Sequence, residues 1–228
     1  TFPIILLVSA FAMLAGMGGA SRAAVSMGEK DNDKAEKILG NCTMLLIIFS
    51  VVLAVVFMLT KNQILMKFGA SEATLPYASD YISIYLVGTI FVQIALGLNL
   101  FITNQGFAKT SMMTVCIGAV LNIVLDLVFI IVFKLGAPGA AWATIISQGV
   151  SGVLCLVYIW KFVPELRMKK EDWYFRCNLA AKQIGVGIPM GLQYSITAIG
   201  TMMVQSALNM LGSYAVAAFT AGSKIEQI

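Results

Sequence analysis

Long uncharged stretches alternate along the chain with short polar ones that carry nearly all of its Lys, Arg, Asp and Glu. The uncharged stretches cover residues 1–21, 38–60, 82–108, 110–133 with Asp126 as its single interruption, 135–160 and 183–223. A helix needs about 20 apolar residues to cross the hydrocarbon core, so each of the first five is one helix long. The sixth has room for a helix, a turn at Leu211-Gly212-Ser213 and the start of another helix. The pattern predicts an all-α fold, a polytopic transmembrane helix bundle of about seven spans with the first and last incomplete.

Composition agrees with that class. Hydrophobic residues make up 59% of the chain and charged ones 11%, and the mean hydropathy of +0.89 lies far from that of soluble domains. The chain opens without methionine and stops at Ile228 inside an apparent helix, so it is expected to be part of a longer protein. A signal peptide over residues 1–21 would need a basic leading region and would not carry Gly16-Met17-Gly18-Gly19.

Cytoplasmic loops retain Lys and Arg. One set of loops carries Arg22, Lys30, Lys34 and Lys37, then Lys109, then Lys161, Arg167, Lys169, Lys170, Arg176 and Lys182; the other set has Lys61, Lys67 and Lys134. The first span is therefore expected to run from outside to inside, with Trp160, Trp173 and Tyr174 at the cytoplasmic interface. The net charge of +4 is then a topology signal. Nucleic acid is not an expected partner, because no basic face interleaved with aromatics stands on a soluble module; membrane lipids are. Cys42, Cys116, Cys155 and Cys177 are scattered without a CxxC, and the chain has no histidine. No zinc site, imidazole chemistry or cofactor is expected, and the cysteines read as small apolar helix residues.

Residues 1–164 read as one lobe of about five spans, 165–182 as a charged cytoplasmic connector that could lie on the membrane surface, and 183–228 as the start of a second lobe. Small residues recur at four-residue spacing in the first span, Ala15, Gly19 and Ala23 on one row and Gly16, Ala20 and Ala24 on the next, which lets helix backbones approach closely. Gly16-Met17-Gly18-Gly19-Ala20-Ser21 lacks the third glycine of a dinucleotide fingerprint and follows no strand. Pro189, within the cluster of Gly185, Gly187 and Gly191, removes a helical hydrogen bond and predicts a kink that could gate a cavity.

Asp126 is the most informative residue. A carboxylate at mid-bilayer costs roughly 2.5 to 3.5 kcal/mol on insertion scales, so such groups face a bundle interior or a wet cavity and serve ions or protons. Burial penalises the charged form of a carboxyl, which suits it to load a proton on one side and release it when a cation arrives. Asn122, one turn earlier on the same face, can hydrogen-bond either protonation state. Gln93, Asn99, Asn104, Gln148, Gln193, Tyr194 and Gln205 lie in spans and are candidates for a substrate cavity, although interhelical hydrogen bonding would also account for each. The methionines, Met202, Met203 and Met210 among them, suit either an adaptable drug-binding surface or plain packing.

Gly18-Gly19-Ala20-Ser21-Arg22, Met27-Gly28-Glu29-Lys30-Asp31 and Lys34-Ala35 resemble the segment joining the second and third helices of multidrug and toxic compound extrusion (MATE) transporters. Asn122-Ile123-Val124-Leu125-Asp126, followed by Gly139-Ala140-Ala141-Trp142-Ala143-Thr144, is similar to that family's fifth and sixth helices. The resemblance places the chain from about the second helix to the start of the eighth of a twelve-helix protein. It implies a two-lobed antiporter of the bacterial cell membrane that expels cationic or amphipathic drugs in exchange for protons or sodium ions, without a cofactor and as a monomer.

In the DinF-like, MepA-like branch, the resemblance implies that Asn122, Asp126 and Thr144 form the cation-coupling site, with a first-helix aspartate that is expected to lie outside this sequence. The NorM branch places an acidic residue on the seventh helix, and none occurs in residues 183–211. Asp126, Asn122 and Thr144 could also complete a transient oxygen cage for Na+. Glu226 would fall near the start of the eighth helix, where some members carry a functional acid. A lipid or polysaccharide-precursor flippase of the same superfamily is the alternative, but it would need basic residues in the spans. An intramembrane enzyme would need paired carboxylates, a GxSG serine or an HExxH motif, and none is present.

Overall fold

The computed structural model describes the backbone of residues 2–67, 75–166 and 174–210, with all side chains there except those of residues 2, 3, 67, 194, 197, 198, 201, 202 and 205–210. Among these residues the chain folds as α1 (Phe2–Gly28), α2 (Asn32–Lys67), α3 (Leu75–Val87), α4 (Thr89–Asn104), α5 (Ala108–Leu127), α6 (Ala137–Phe162) and α7 (Cys177–Met210). A π-helical turn, Val128–Val132, follows α5, and a turn of 3-10 helix, Pro164–Leu166, follows α6. By length and composition, four helices among the described residues can cross a membrane (α1, α2, α5 with its π turn, and α6), and α3 with α4 makes a fifth if the bent pair is one span. The protein is a multi-pass, all-helical membrane protein.

Local chemistry explains the breaks. After α1, Lys30 adopts a left-handed φ of 61°, and the Asp31 carboxylate caps α2 by accepting the Lys34 amide N–H at 3.1 Å. The uncharged stretch 82–108 is not one helix: most of it divides between α3 and α4, which meet at Gly88 with a bend of 58°. α6 fills the bend: a Cβ on Gly88 would lie 2.3 Å from a side-chain carbon of Ile145. α3 starts earlier than the uncharged stretch because Asp80 sits exposed on its surface and does not interrupt the helix.

The interior forms two clusters. One centres on Ile38, Leu39, Leu46, Leu98, Phe101 and Ile102 between α2 and α4, with Ala12, Ala15, Ala20 and Ala23 of α1 against it. The other gathers Ile4, Val8, Leu53, Phe57, Ile82, Tyr85 and Leu86. α5 inverts the pattern of a soluble helix. Its buried residues are Ser111, Thr114 and Gly118, while Met112, Met113, Val120, Ile123, Val124 and Leu127 are exposed. Lipid solvates the large apolar side chains, and small or polar ones mediate helix contact.

Thr1–Gly191 form one compact unit and Leu192–Ile228 a second. The first takes in α7 as far as Gly191, because those turns pack on α1 and α2 through Gly18, Gln183 and Gly187. The described part of the second is α7 from Leu192 to Met210. Trp160 and Tyr174 are exposed; Trp173 lies outside the described residues.

Candidate functional site

A cavity of about 300 Å³ opens between α4, α5 and α6, with Met13 of α1 on its wall. Asn122 and Gly118 reach it from α5, Thr144, Ser147, Gln148 and Ser151 from α6, and Asn99 from α4. Thr144, Ser147, Gln148 and Ser151 follow the i, i+3, i+4, i+7 spacing that puts them on one helix face. Gly118 lets α5 approach that face, since a Cβ there would already be 3.3 Å from Ser151 Cβ.

The hydroxyl protons on the α6 face are turned away from the cavity. Thr144 Oγ1 donates to the Ala140 carbonyl at 2.9 Å, Ser147 Oγ to the Thr144 carbonyl at 2.9 Å, and Ser151 Oγ to the Thr114 carbonyl at 3.2 Å. Each hydroxyl oxygen keeps lone pairs to offer, so this wall accepts hydrogen bonds or cations more readily than it donates. A denser network ties the cavity residue Asn99 to α5. Asn99 Nδ2 donates to the Ser111 carbonyl at 3.1 Å and to Thr114 Oγ1 at 3.0 Å, while Ser111 Oγ donates to Asn99 Oδ1 at 2.7 Å. Asn99 therefore spends its amide on joining α4 to α5.

Two buried polar atoms on α5 stand out by contrast. Asn122 Nδ2 and Asp126 Oδ1 are buried with no hydrogen-bond partner in the described structure. Leaving such groups unsatisfied costs about 1–3 kcal/mol each. Asn122 faces the cavity, whereas Asp126 lies one turn further along in a separate, apolar depression with Ile123, Leu127, Ile130 and Ile131. The π turn begins two residues after Asp126, with the Phe133 N–H donating to the Val128 carbonyl at 3.0 Å. Such turns occur mostly as single insertions in α-helices, often at functional sites.

The other sequence candidates divide. Gln148 and Asn99 line the cavity with Thr144 and Asn122. Gln93 is fully buried away from it, donating from Nε2 to the Val8 carbonyl at 3.0 Å and so tying α4 to α1. Asn104 is exposed at the end of α4. Pro189 is exposed on α7, which the structure carries through to Met210 as one helix. Gln193 is exposed in the second unit. The side chains of Tyr194 and Gln205, and all of Glu226, lie outside the described residues. Ser147 and Ser151 are cavity residues that the sequence reading passed over, although their spacing from Thr144 was available as a signal.

Comparison with known proteins agrees with this architecture. The MatE family profile matches residues 1–128. The chain is 31% identical over 159 residues to the probable multidrug resistance protein YpnP of Bacillus subtilis, covering 69% of this chain and 35% of that protein. It is 26% identical over 227 residues to the multidrug export protein MepA of Staphylococcus haemolyticus, covering 100% of this chain and 50% of that one. A solved inward-facing structure of a multidrug resistance MATE family transporter of the MOP superfamily superposes with a TM-score of 0.84 at 25% identity, over 98% of this chain and 51% of that one. The chain thus spans about half the length of the MepA relative and of that solved structure. With a family profile matching more than half of its residues, and with the helices and the α5–α6 cavity arranged as above, the chain belongs to the MatE family.

Proposed function

We propose that this chain supplies the amino-terminal lobe, and the beginning of the carboxy-terminal lobe, of an antiporter that expels cationic or amphipathic compounds in exchange for a proton or a sodium ion. The observation that carries this reading is the α5–α6 cavity. Its lining contains acceptor oxygens and no basic residue, and a carboxylate oxygen without a partner is buried one turn beyond it. A wall of acceptor oxygens suits a cationic guest, and a desolvated carboxyl one turn away is stabilised by a proton or a cation that neutralises it. A phosphate-linked flippase substrate would instead call for Lys or Arg on the lining. The names of the YpnP and MepA relatives support multidrug export as the activity.

In this scheme Asp126, which lies in its own depression one turn from the cavity, is brought toward the cavity during the cycle and holds the coupling ion, while Asn122 and Thr144 on the cavity wall offer an amide and an oxygen. Alternating access between the two lobes would expose the cavity to each side in turn. The reading is tested by efflux of ethidium from vesicles that hold the full-length transporter, with proton and sodium gradients imposed separately. Efflux driven by one gradient supports it and names the ion; no efflux under either overturns it.

Thr144→Val keeps the shape of the side chain and removes its oxygen. A hydrogen-bonding or coordinating oxygen on a charged group contributes about 1.5–3 kcal/mol, and 1.4 kcal/mol is tenfold. If sodium is the coupling ion, Thr144→Val is expected to raise the half-saturating sodium concentration by about tenfold or more. Under proton coupling, the half-saturating proton concentration is expected to stay within about twofold. A sodium-driven transporter unaffected by this change would remove Thr144 from the site.

A further inference from the structure

The first turns of α7 are held to α1 and α2 by a seam of close backbone contact built around a buried amide pair. Between Cys177 and Gly191 the buried residues of α7 are Ala180, Gln183, Gly187 and Gly191, which their three- and four-residue spacing places on one narrow stripe. Leu179 and Ile184 flank that stripe, half-buried. Along it the helix backbones touch. A Cβ on Gly18 would lie 2.0 Å from the Gln183 carbonyl oxygen, and one on Gly187 would lie 1.9 Å from that of Leu14.

A buried amide pair sits at the centre. Asn41 Nδ2 donates to Gln183 Oε1 at 2.9 Å, Gln183 Nε2 donates to the Ile38 carbonyl at 2.8 Å, and the Arg176 amide N–H donates to Asn41 Oδ1 at 2.6 Å. Asn41 and Gln183 are both 0% exposed. α1 is the wall shared with the cavity: Met13 lines the cavity, while Leu14 and Gly18 meet α7.

The chemistry of this seam suits a contact that opens and closes. Separating α2 from α4 would strip cover from Leu39, Leu46, Leu98 and Phe101, large apolar side chains whose exposure to water is unfavourable in proportion to area. Separating α7 from α1 and α2 would uncover the amide pair, glycine and backbone, with a smaller apolar share from Ala180, Leu179 and Ile184. Water can hydrogen-bond those amides nearly as well as they bond one another, so the net loss per bond is small. Glycine faces also separate without pulling interlocked side chains out of holes in the partner helix.

We propose that the Asn41–Gln183 pair, with Gly18 and Gly187 on either side, is a latch that closes the Lys- and Arg-rich, cytoplasmic side of the transporter and parts in each transport cycle. The proposal rests on the antiporter reading and gives it a specific closure. The latch holds α7 against α1 and α2 while the cavity is shut off from the cytoplasm, and its parting opens that side.

The test uses the full-length transporter in liposomes, with Cys42, Cys116, Cys155 and Cys177 replaced by alanine and a single Gln183→Cys substitution. A water-soluble maleimide is expected to modify position 183 in the folded protein, severalfold faster with ethidium and a coupling gradient than at rest. A thiol there that reacts only after denaturation overturns the proposal. In the Asn41→Cys/Gln183→Cys double variant, bridging with a short bis-methanethiosulfonate is expected to stop ethidium efflux, and a reductant to restore it. Undiminished efflux after complete bridging overturns the latch. Wild-type transporter that moves no ethidium under either gradient overturns the antiporter reading, whereas wild-type efflux together with undiminished efflux after bridging overturns the latch alone.

Discussion

Asp126→Asn is expected to reduce gradient-driven efflux to the level of protein-free vesicles while leaving membrane insertion and folding intact. The substitution keeps the size and planar shape of the side chain, so the packing of α5 beside Ile123, Leu127 and Ile130 should persist. What it removes is the ability to carry a negative charge and to exchange a proton. Placing that charge within a span costs roughly 2.5 to 3.5 kcal/mol on insertion scales, so a neutral amide should insert at least as readily as the acid. Asp126 is the one charged residue between Thr110 and Phe133, and its Oδ1 is buried without a partner. No other carboxylate in that run can take over its role. Efflux measured with the effective gradient, alongside quantification of the inserted protein, checks both halves of this expectation. Wild-type efflux from Asp126→Asn would move the coupling site elsewhere.

The helical, membrane-spanning class was legible because it follows from hydropathy and length alone, and the lipid-facing apolar surface of α5 is what that pattern demands. The Asn122–Asp126 spacing was legible for the same kind of reason, since residues four apart share a helix face. Which of the two would face the cavity was not legible. It depends on the rotation of α5 about its axis, and the close approach of Gly118 to Ser151 is a tertiary contact that sets this rotation. The π turn at Val128–Val132 had no signal, because Leu127-Val128-Phe129-Ile130-Ile131-Val132 contains neither Gly nor Pro and reads as uninterrupted helix. Gln93 shows the limit of reasoning from polarity. A glutamine in a span looks like a cavity residue, but the depth of α4 against α1 puts its amide on the Val8 carbonyl instead. Asn41 and Gln183 lie 142 positions apart, and neither has a local pattern that pairs it with the other.

Gly187→Val is expected to prevent α7 from closing on α1, and to do so far more strongly than the same change at Gly185, two residues away. A Cβ on Gly187 would sit 1.9 Å from the Leu14 carbonyl oxygen and 2.8 Å from its carbon, whereas nothing lies within 4 Å of a Cβ on Gly185. The obstacle at Gly187 is backbone, which has no alternative rotamer to adopt, so the helices must move apart by more than an ångström. That shift breaks the hydrogen bond between Asn41 and Gln183, which holds at 2.9 Å. Overpacking of this kind costs about 1–3 kcal/mol, and each buried amide left without a partner costs about 1–3 kcal/mol more unless water reaches it. The unfolding midpoint of the purified protein is therefore expected to fall by several degrees for Gly187→Val and to stay near wild type for Gly185→Val, which carries the same change in helix propensity without the clash. Equal midpoints for the two variants would mean that α7 does not approach α1 this closely in the membrane protein, and the seam would lose its steric basis. A fall confined to Gly187→Val, together with faster maleimide reaction at Gln183→Cys in that background, would separate opening of the seam from general unfolding.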